Sequence, residues 1–190
     1  MNVGDTDRRG LFQSLIGDWL ERVMDETERR MAQQRYLRPP GALPELGFLA
    51  ACTRCGECVR ACPAQAIVTA PMSAGLAAGT PYLDLERQPC VACTTMPCAQ
   101  ACPTDALAVP ASVWQGYRLA ELEFHPERCI TFRGTTCQAC ADACPIGSAA
   151  LAMDEGGHPV LRREGCVGCG VCVRACVTRP SSYTLHFAEG

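Results

Sequence analysis

Lysine is absent from this 190-residue chain. All seventeen basic residues are arginines set against twenty acids, and the formal net charge of -3 leaves no basic footprint for nucleic acid. Also missing is any run of the roughly eighteen consecutive apolar residues that a membrane span requires, and 19% of residues are charged. The chain is therefore expected to be soluble or peripherally attached. No Rossmann glycine fingerprint, P-loop or nucleophile elbow occurs, which removes the common sequence signs of an enzyme.

Cysteine, by contrast, is abundant. Sixteen of them give a density seen in disulfide or metal scaffolds. They recur in tight groups of four and no secretory signal opens the sequence, so ligands are expected rather than a disulfide framework. The first group, Cys52-x2-Cys55-x2-Cys58-x3-Cys62-Pro63, is the full bacterial ferredoxin run. The second, Cys90-x2-Cys93-x4-Cys98-x3-Cys102-Pro103, widens the middle gap, and the third, Cys129-x7-Cys137-x2-Cys140-x3-Cys144-Pro145, widens the first. The fourth, Cys166-x2-Cys169-x2-Cys172-x3-Cys176, has regular spacing but ends on Val177, a change expected to cost no ligand because proline is not one.

In such runs three cysteines wrap one [4Fe-4S] cubane while the fourth is directed to a different cluster, so the quartets must work in pairs. Four clusters on sixteen cysteines are the expected cofactors, and loading them would add roughly -8 to the charge. Zinc is the competing reading, but it favours two CxxC pairs separated by a longer insertion. His125, His158 and His186 stand alone and read as surface or turn residues, since Rieske-type ligation needs paired histidines.

Around the quartets the expected fold is α+β. It consists of tandem bacterial-ferredoxin-like modules with short hairpins and helical turns, preceded by an N-terminal amphipathic helix. Leu11, Phe12, Leu15, Ile16, Trp19, Leu20, Val23 and Met24 recur at helical spacing within residues 7–36. That stripe either packs on the cluster domain or docks a partner or membrane surface. Arg38-Pro39-Pro40-Gly41 ends the helix, which divides the chain into residues 1–40, helix and linker, and residues 41–190, the cluster domain. Strand-like runs follow the first three quartets at Ala66–Val68, Ala106–Val109 and Ala149–Met153; a hairpin turn is expected at Asp154–Gly157 and a terminal strand at Tyr183–Phe187.

Several segments carry a family resemblance. Pro81-Tyr82-Leu83-Asp84, Pro97-Cys98, Ala101-Cys102-Pro103-Thr104 and Cys166-Val167-Gly168-Cys169-Gly170 resemble the ferredoxin-type proteins encoded beside periplasmic nitrate reductase and methylamine dehydrogenase. Arg38-Pro39-Pro40 with Ala51-Cys52-Thr53-Arg54-Cys55-Gly56 is similar to the smaller cytoplasmic ferredoxin-type protein of the nitrate reductase cluster. The resemblance implies low-potential electron transfer with a redox partner, sometimes with a role in that enzyme's maturation.

The wide second quartet also resembles the four-cluster subunits of molybdenum oxidoreductases. That likeness implies pairing of quartet one with four and two with three. The implied ligand sets are Cys52, Cys55, Cys58 with Cys176; Cys166, Cys169, Cys172 with Cys62; Cys90, Cys93, Cys98 with Cys144; and Cys129, Cys137, Cys140 with Cys102. Sequential pairing would exchange only the fourth ligands.

The expected protein is a non-catalytic carrier or wire subunit relaying single electrons between a donor and an oxidoreductase, of which the molybdenum type is one candidate; an assembly factor is the alternative. Arg8-Arg9 resembles a twin-arginine pair, but Asp18, Glu21 and Arg22 interrupt the stretch after it, so the expected location is cytoplasmic rather than periplasmic.

Overall fold

A computed structural model describes residues 36–115 and 117–187. The helix expected over residues 7–36 therefore lies outside the described residues, Tyr36 excepted. Among the described residues no helix is long and apolar enough to cross a membrane.

Regular structure is sparse and small. The described residues form five α-helices: α1 (Glu45–Ala51), α2 (Glu57–Ala61), α3 (Pro97–Gln100), α4 (Ala139–Ala143) and α5 (Val171–Ala175). Six strands accompany them: β1 (Ile67–Thr69), β2 (Pro81–Leu83), β3 (Glu121–Phe124), β4 (Leu151–Met153), β5 (Pro159–Leu161) and β6 (Tyr183–His186). Helices of four to seven residues are far below the length that is stable alone, so packing around the cysteines must hold them.

Their ends are set locally. Gly56 and Gly170 sit at φ 75° and 85° before α2 and α5, a left-handed turn that glycine adopts without strain. Each of α2, α4 and α5 stops on the last cysteine of its quartet, where Cys62, Cys144 and Cys176 are all extended. Proline forces that geometry after Cys62 and Cys144. Cys176 reaches it at φ -60° and ψ 131° without one, so Val177 leaves the backbone course unchanged.

The two halves of this body follow one plan. In the first, β1 pairs antiparallel with β2 between quartets one and two, and Ala42 bridges Leu107 across the flanks of those quartets. In the second, β4 pairs with β5 between quartets three and four, and β3 pairs with β6 outside them. Helix α2 packs on α3, and α4 on α5.

The hairpin around Asp154–Gly157 and the terminal strand match expectation. Ala106–Val109 does not become a strand; it is held by Leu43 N–H to Ala106 O at 3.0 Å and Ala108 N–H to Gly41 O at 2.8 Å. Strand β3 was not among the expected strands, although Glu121, Leu122, Glu123 and Phe124 alternate and Leu122 is buried.

One core gathers Phe48, Ile67, Leu83, Met96 and Leu107, and a smaller one Leu122, Leu151 and Tyr183. Half of the cysteines, eight of sixteen, are buried, and all of these but Cys129 belong to the two cores.

The halves meet closely at quartet four. Cys90 N–H donates to the Cys169 carbonyl at 3.1 Å and Leu119 N–H to Val167 O at 2.8 Å. At Gly168, φ +66°, a Cβ would lie 1.9 Å from the Ala120 carbonyl oxygen. Gly168→Ala thus combines a backbone clash with left-handed strain, and is expected to cost about 3 kcal/mol, a fall in Tm of about 6–12 °C in anaerobic thermal denaturation.

Residues 36–40, read from sequence as linker, pack into the body. Arg38 is 8% exposed. Its fork holds both Glu45 carboxylate oxygens at 2.9 and 2.6 Å, Thr80 Oγ1 at 2.8 Å and the Pro81 carbonyl at 2.9 Å, with the guanidinium 4.6 Å over the Phe48 ring. Glu45 is half-exposed, so solvent screens the ion pair and the loss is carried chiefly by the buried acceptors. Arg38→Met is expected to destabilise by about 2 kcal/mol, read as a fall in the thermal midpoint.

Candidate iron-sulfur centres

Each quartet bends through left-handed turns that carry its sulfurs to one side. Arg54, Ala92 and Gly168 stand two residues after the first cysteine of their quartets and all have positive φ, 59°, 45° and 66°. Two of these are not glycine, and left-handed backbone at such residues persists only where the surroundings enforce it. The turns also bring backbone N–H groups toward the sulfurs, as in anion-binding nests.

Four cavities result, each lined by four cysteines. Site 1 joins Cys52, Cys55 and Cys58 with Cys102, with Phe48 and Leu107 at its wall. Site 2 joins Cys90, Cys93 and Cys98 with Cys62. Site 3 joins Cys129, Cys137 and Cys140 with Cys176. Site 4 joins Cys166, Cys169 and Cys172 with Cys144.

All sixteen predicted cysteines are thus brought together in fours, but not in the sets that the molybdenum-enzyme likeness implied. Cys176 lies with Cys129, not Cys52; Cys62 lies with Cys90, not Cys166; Cys144 lies with Cys166, not Cys90; and Cys102 lies with Cys52, not Cys129. The reason is topological. The bridge from Ala42 to Leu107 closes the first half before quartet three begins, and the packing of α2 on α3 aims Cys62 and Cys102 at one another's quartets.

The donor set fits a cubane better than a single ion. Among the described residues no group of three Cys, His, Asp or Glu is close enough to hold one metal ion. A zinc site would need four ligands converging at about 2.0–2.3 Å on a point, whereas here the sulfurs ring an apolar void.

Burial pushes Cys58, Cys98 and Cys169 up to about 11 and Cys90 up to about 12, and raises Cys172 as well. Thiols held that high bind as thiolates only when positive charge sits among them, and iron supplies it. Two fourth-position cysteines differ. Burial would raise Cys176, but the Thr178 hydroxyl, the Ser182 and Thr178 N–H groups and the Ser182 hydroxyl together bring it down to about 6. Cys102 is lowered in the same way: burial is outweighed by the Thr104 and Leu107 N–H groups and the Thr104 hydroxyl.

The 4Fe-4S dicluster domain family matches residues 51–106, which span quartets one and two together, and a 4Fe-4S binding domain family matches residues 126–154 and 163–178, which span three and four. The methylamine utilization ferredoxin-type protein MauM of Methylorubrum extorquens is 42% identical over 155 residues, covering 77% of this chain and 70% of that one. The chain belongs to the ferredoxin-type [4Fe-4S] proteins. Within the family, MauM of Methylophilus methylotrophus is 39% identical over 96% of this chain and 88% of its own, and the ferredoxin-type protein NapG of Escherichia coli is 37% identical over 74% and 66%. As a ferredoxin-type protein it binds [4Fe-4S] clusters and carries electrons.

The histidines are less isolated than they look in sequence. Across β3 and β6, His186 Nε2 lies 2.8 Å from Glu123 Oε2 and His125 Nε2 2.9 Å from Thr184 Oγ1. His158 stacks on Phe132 with centroids 4.2 Å apart and reaches Thr131 Oγ1 at 3.2 Å. None of them lines a cysteine cavity.

Sequence reasoning missed the hydroxyls that bond the sulfurs. Thr131 lies 3.2 Å from Cys129 Sγ, Thr178 3.1 Å from Cys176 Sγ, and the Tyr183 hydroxyl 3.2 Å from Cys140 Sγ. A signal for two of them was present: threonine stands two residues after Cys129 and Cys176, as it does after Cys102.

Proposed function

We propose that the chain is a polyferredoxin in which two bacterial-ferredoxin-like modules in tandem hold four [4Fe-4S] clusters. The ligand sets would be the cysteines of sites 1 to 4 as grouped above. When bound, each cluster takes up and releases one electron. The residues supply the rest: sixteen thiolates hold the iron, the buried wall of Phe48, Ile67, Leu83 and Leu107 keeps water from the first pair, and the backbone N–H groups of the left-handed turns offset negative charge on the sulfurs.

The observation that carries this reading is the linear order of the four sites. Site 1 meets site 2 where α2, which carries Cys58, packs on α3, which carries Cys98. Site 2 touches site 4 through the bond from Cys90 to Cys169 at 3.1 Å. Site 4 meets site 3 where α5, which carries Cys172, packs on α4, which carries Cys140. Contacts thus join the sites in the series 1, 2, 4, 3.

The partners are a one-electron donor and an oxidoreductase. Identities of 42% and 40% to methylamine utilization proteins support an amine-utilization system as the first place to seek that enzyme. Sixteen free thiols must stay reduced until iron is inserted, which supports a cytoplasmic location. Anaerobic reductive titration of the holoprotein is expected to consume about four electrons per chain, and the reduced protein to be reoxidised by its partner enzyme without dissociation of iron. Uptake of a single electron would defeat the wire.

A further inference from the structure

At every site backbone N–H groups reach the sulfurs, as those of Val59, Ala92, Ala141 and Val171 do, but the sites are unequal in hydroxyl donors. Site 3 receives hydroxyl groups on three of its sulfurs: Thr131 at 3.2 Å from Cys129, Tyr183 at 3.2 Å from Cys140, and Thr178 at 3.1 Å from Cys176. Cys176 is further approached by the Ser182 N–H at 3.4 Å and the Ser182 hydroxyl at 3.6 Å. At site 1 the sole hydroxyl is Thr104, 3.8 Å from Cys102, with the Leu107 N–H at 3.5 Å. Among the described residues no side-chain hydroxyl bonds a sulfur of site 2 or site 4.

A thiolate has no proton to give, so at an iron-bound sulfur each of these hydroxyls must be the donor. The arrangement at Thr131 agrees: His158 Nδ1, 3.2 Å away, can donate to Thr131 Oγ1 and leave its hydroxyl proton for Cys129. Reduction adds one negative charge to a cluster and its ligands. Donors aimed at the sulfurs stabilise the reduced form more than the oxidised one, and they act strongly here because Tyr183 and Ser182 are 3% and 1% exposed.

We infer that site 3 has the highest reduction potential of the four and is the station where electrons collect before they leave, with Tyr183, Thr131, Thr178 and Ser182 as the positioning residues that set it. This deepens the proposed function and rests on its four-cluster reading. Site 3 stands at one end of the series 1, 2, 4, 3, so the slope runs along the series. One electron enters from a low-potential one-electron donor protein at the site 1 end, and the same electron reduces a one-electron acceptor protein at the site 3 end. No proton is needed.

The test is a redox titration of the full holoprotein followed by electron paramagnetic resonance, in wild type and in Tyr183→Phe. The expected result is a fall in the highest midpoint potential by a factor of about ten in the reduced-to-oxidised ratio, which is about 59 mV for a one-electron couple, with the other potentials unmoved. Thr131→Val, which removes the donor at Cys129, is expected to shift the same potential downward and serves if Tyr183→Phe assembles poorly. Thr104→Val, at the opposite end, is expected to leave the highest potential in place. An unmoved highest potential in both site 3 variants, or a shift confined to a lower one, overturns the inference. A wild-type iron content far below about sixteen per chain would instead overturn the cluster reading on which it rests.

Discussion

Stripping iron from the holoprotein with an anaerobic chelator unfolds the body formed by residues 36–187. Among the described residues very little else is able to hold it. Its helices are four to seven residues long and its strands three or four, lengths that do not persist alone. Seven cysteines belong to the buried cores and Cys129 is buried as well, so the side chains that would hold the clusters also make up much of what holds the fold. For small metallo-domains the binding free energy of the metal is folding free energy, on the order of 10 kcal/mol per structural site. Circular dichroism is therefore expected to fall in step with released iron. A stripped protein that keeps its far-ultraviolet spectrum and its exchange protection would contradict this.

A second large effect is expected from Cys62→Ser, through a cluster to which its own quartet gives no other ligand. Cys62 lies with Cys90, Cys93 and Cys98, so its loss should empty site 2 and leave about twelve irons per chain. The informative comparison is the double variant Cys62→Ser with Cys93→Ser. If both residues serve one cluster, the double variant still holds about twelve irons, the non-additivity expected of groups acting as a unit. If Cys62 served the Cys166 set, as the likeness to molybdenum-enzyme subunits implied, two clusters would be lost and about eight irons would remain. The same logic applies to Cys102 with Cys55, and to Cys144 with Cys169.

That the first three cysteines of each quartet converge was legible in sequence because the spacing is itself the geometry of the loop. The partner of each fourth cysteine was left between two pairings, and the structure groups them by the sequential one. A fourth cysteine leaves its own loop in a definite direction, but what it meets depends on which helices pack together, and that is decided by the pairings of β1 with β2, of β3 with β6 and of Ala42 with Leu107. Strands of three residues leave almost no periodicity to read, so β2 escaped notice, while the apolar run Ala106–Val109 looked like a strand and is held only at its edges.

Arg38 shows a different limit. Beside two prolines it read as the end of a helix, yet the packing of Phe48 and the acceptors on Glu45, Thr80 and Pro81 make it a buried anchor. The hydroxyls of site 3 fall between these cases. Thr131 and Thr178 can be noticed from their spacing to cysteine, whereas Tyr183 reaches Cys140 across 43 residues of chain and only the folded β6 places it there.

The central claim is that the sixteen cysteines hold four [4Fe-4S] clusters in one conducting series. Its most direct test is the iron and acid-labile sulfide content of anaerobically purified protein, read together with electron paramagnetic resonance spectra during stepwise reduction. About sixteen irons and sixteen sulfides per chain, with reduced signals that broaden through mutual interaction, are predicted. Bound zinc, or far less iron after careful reconstitution, would contradict it.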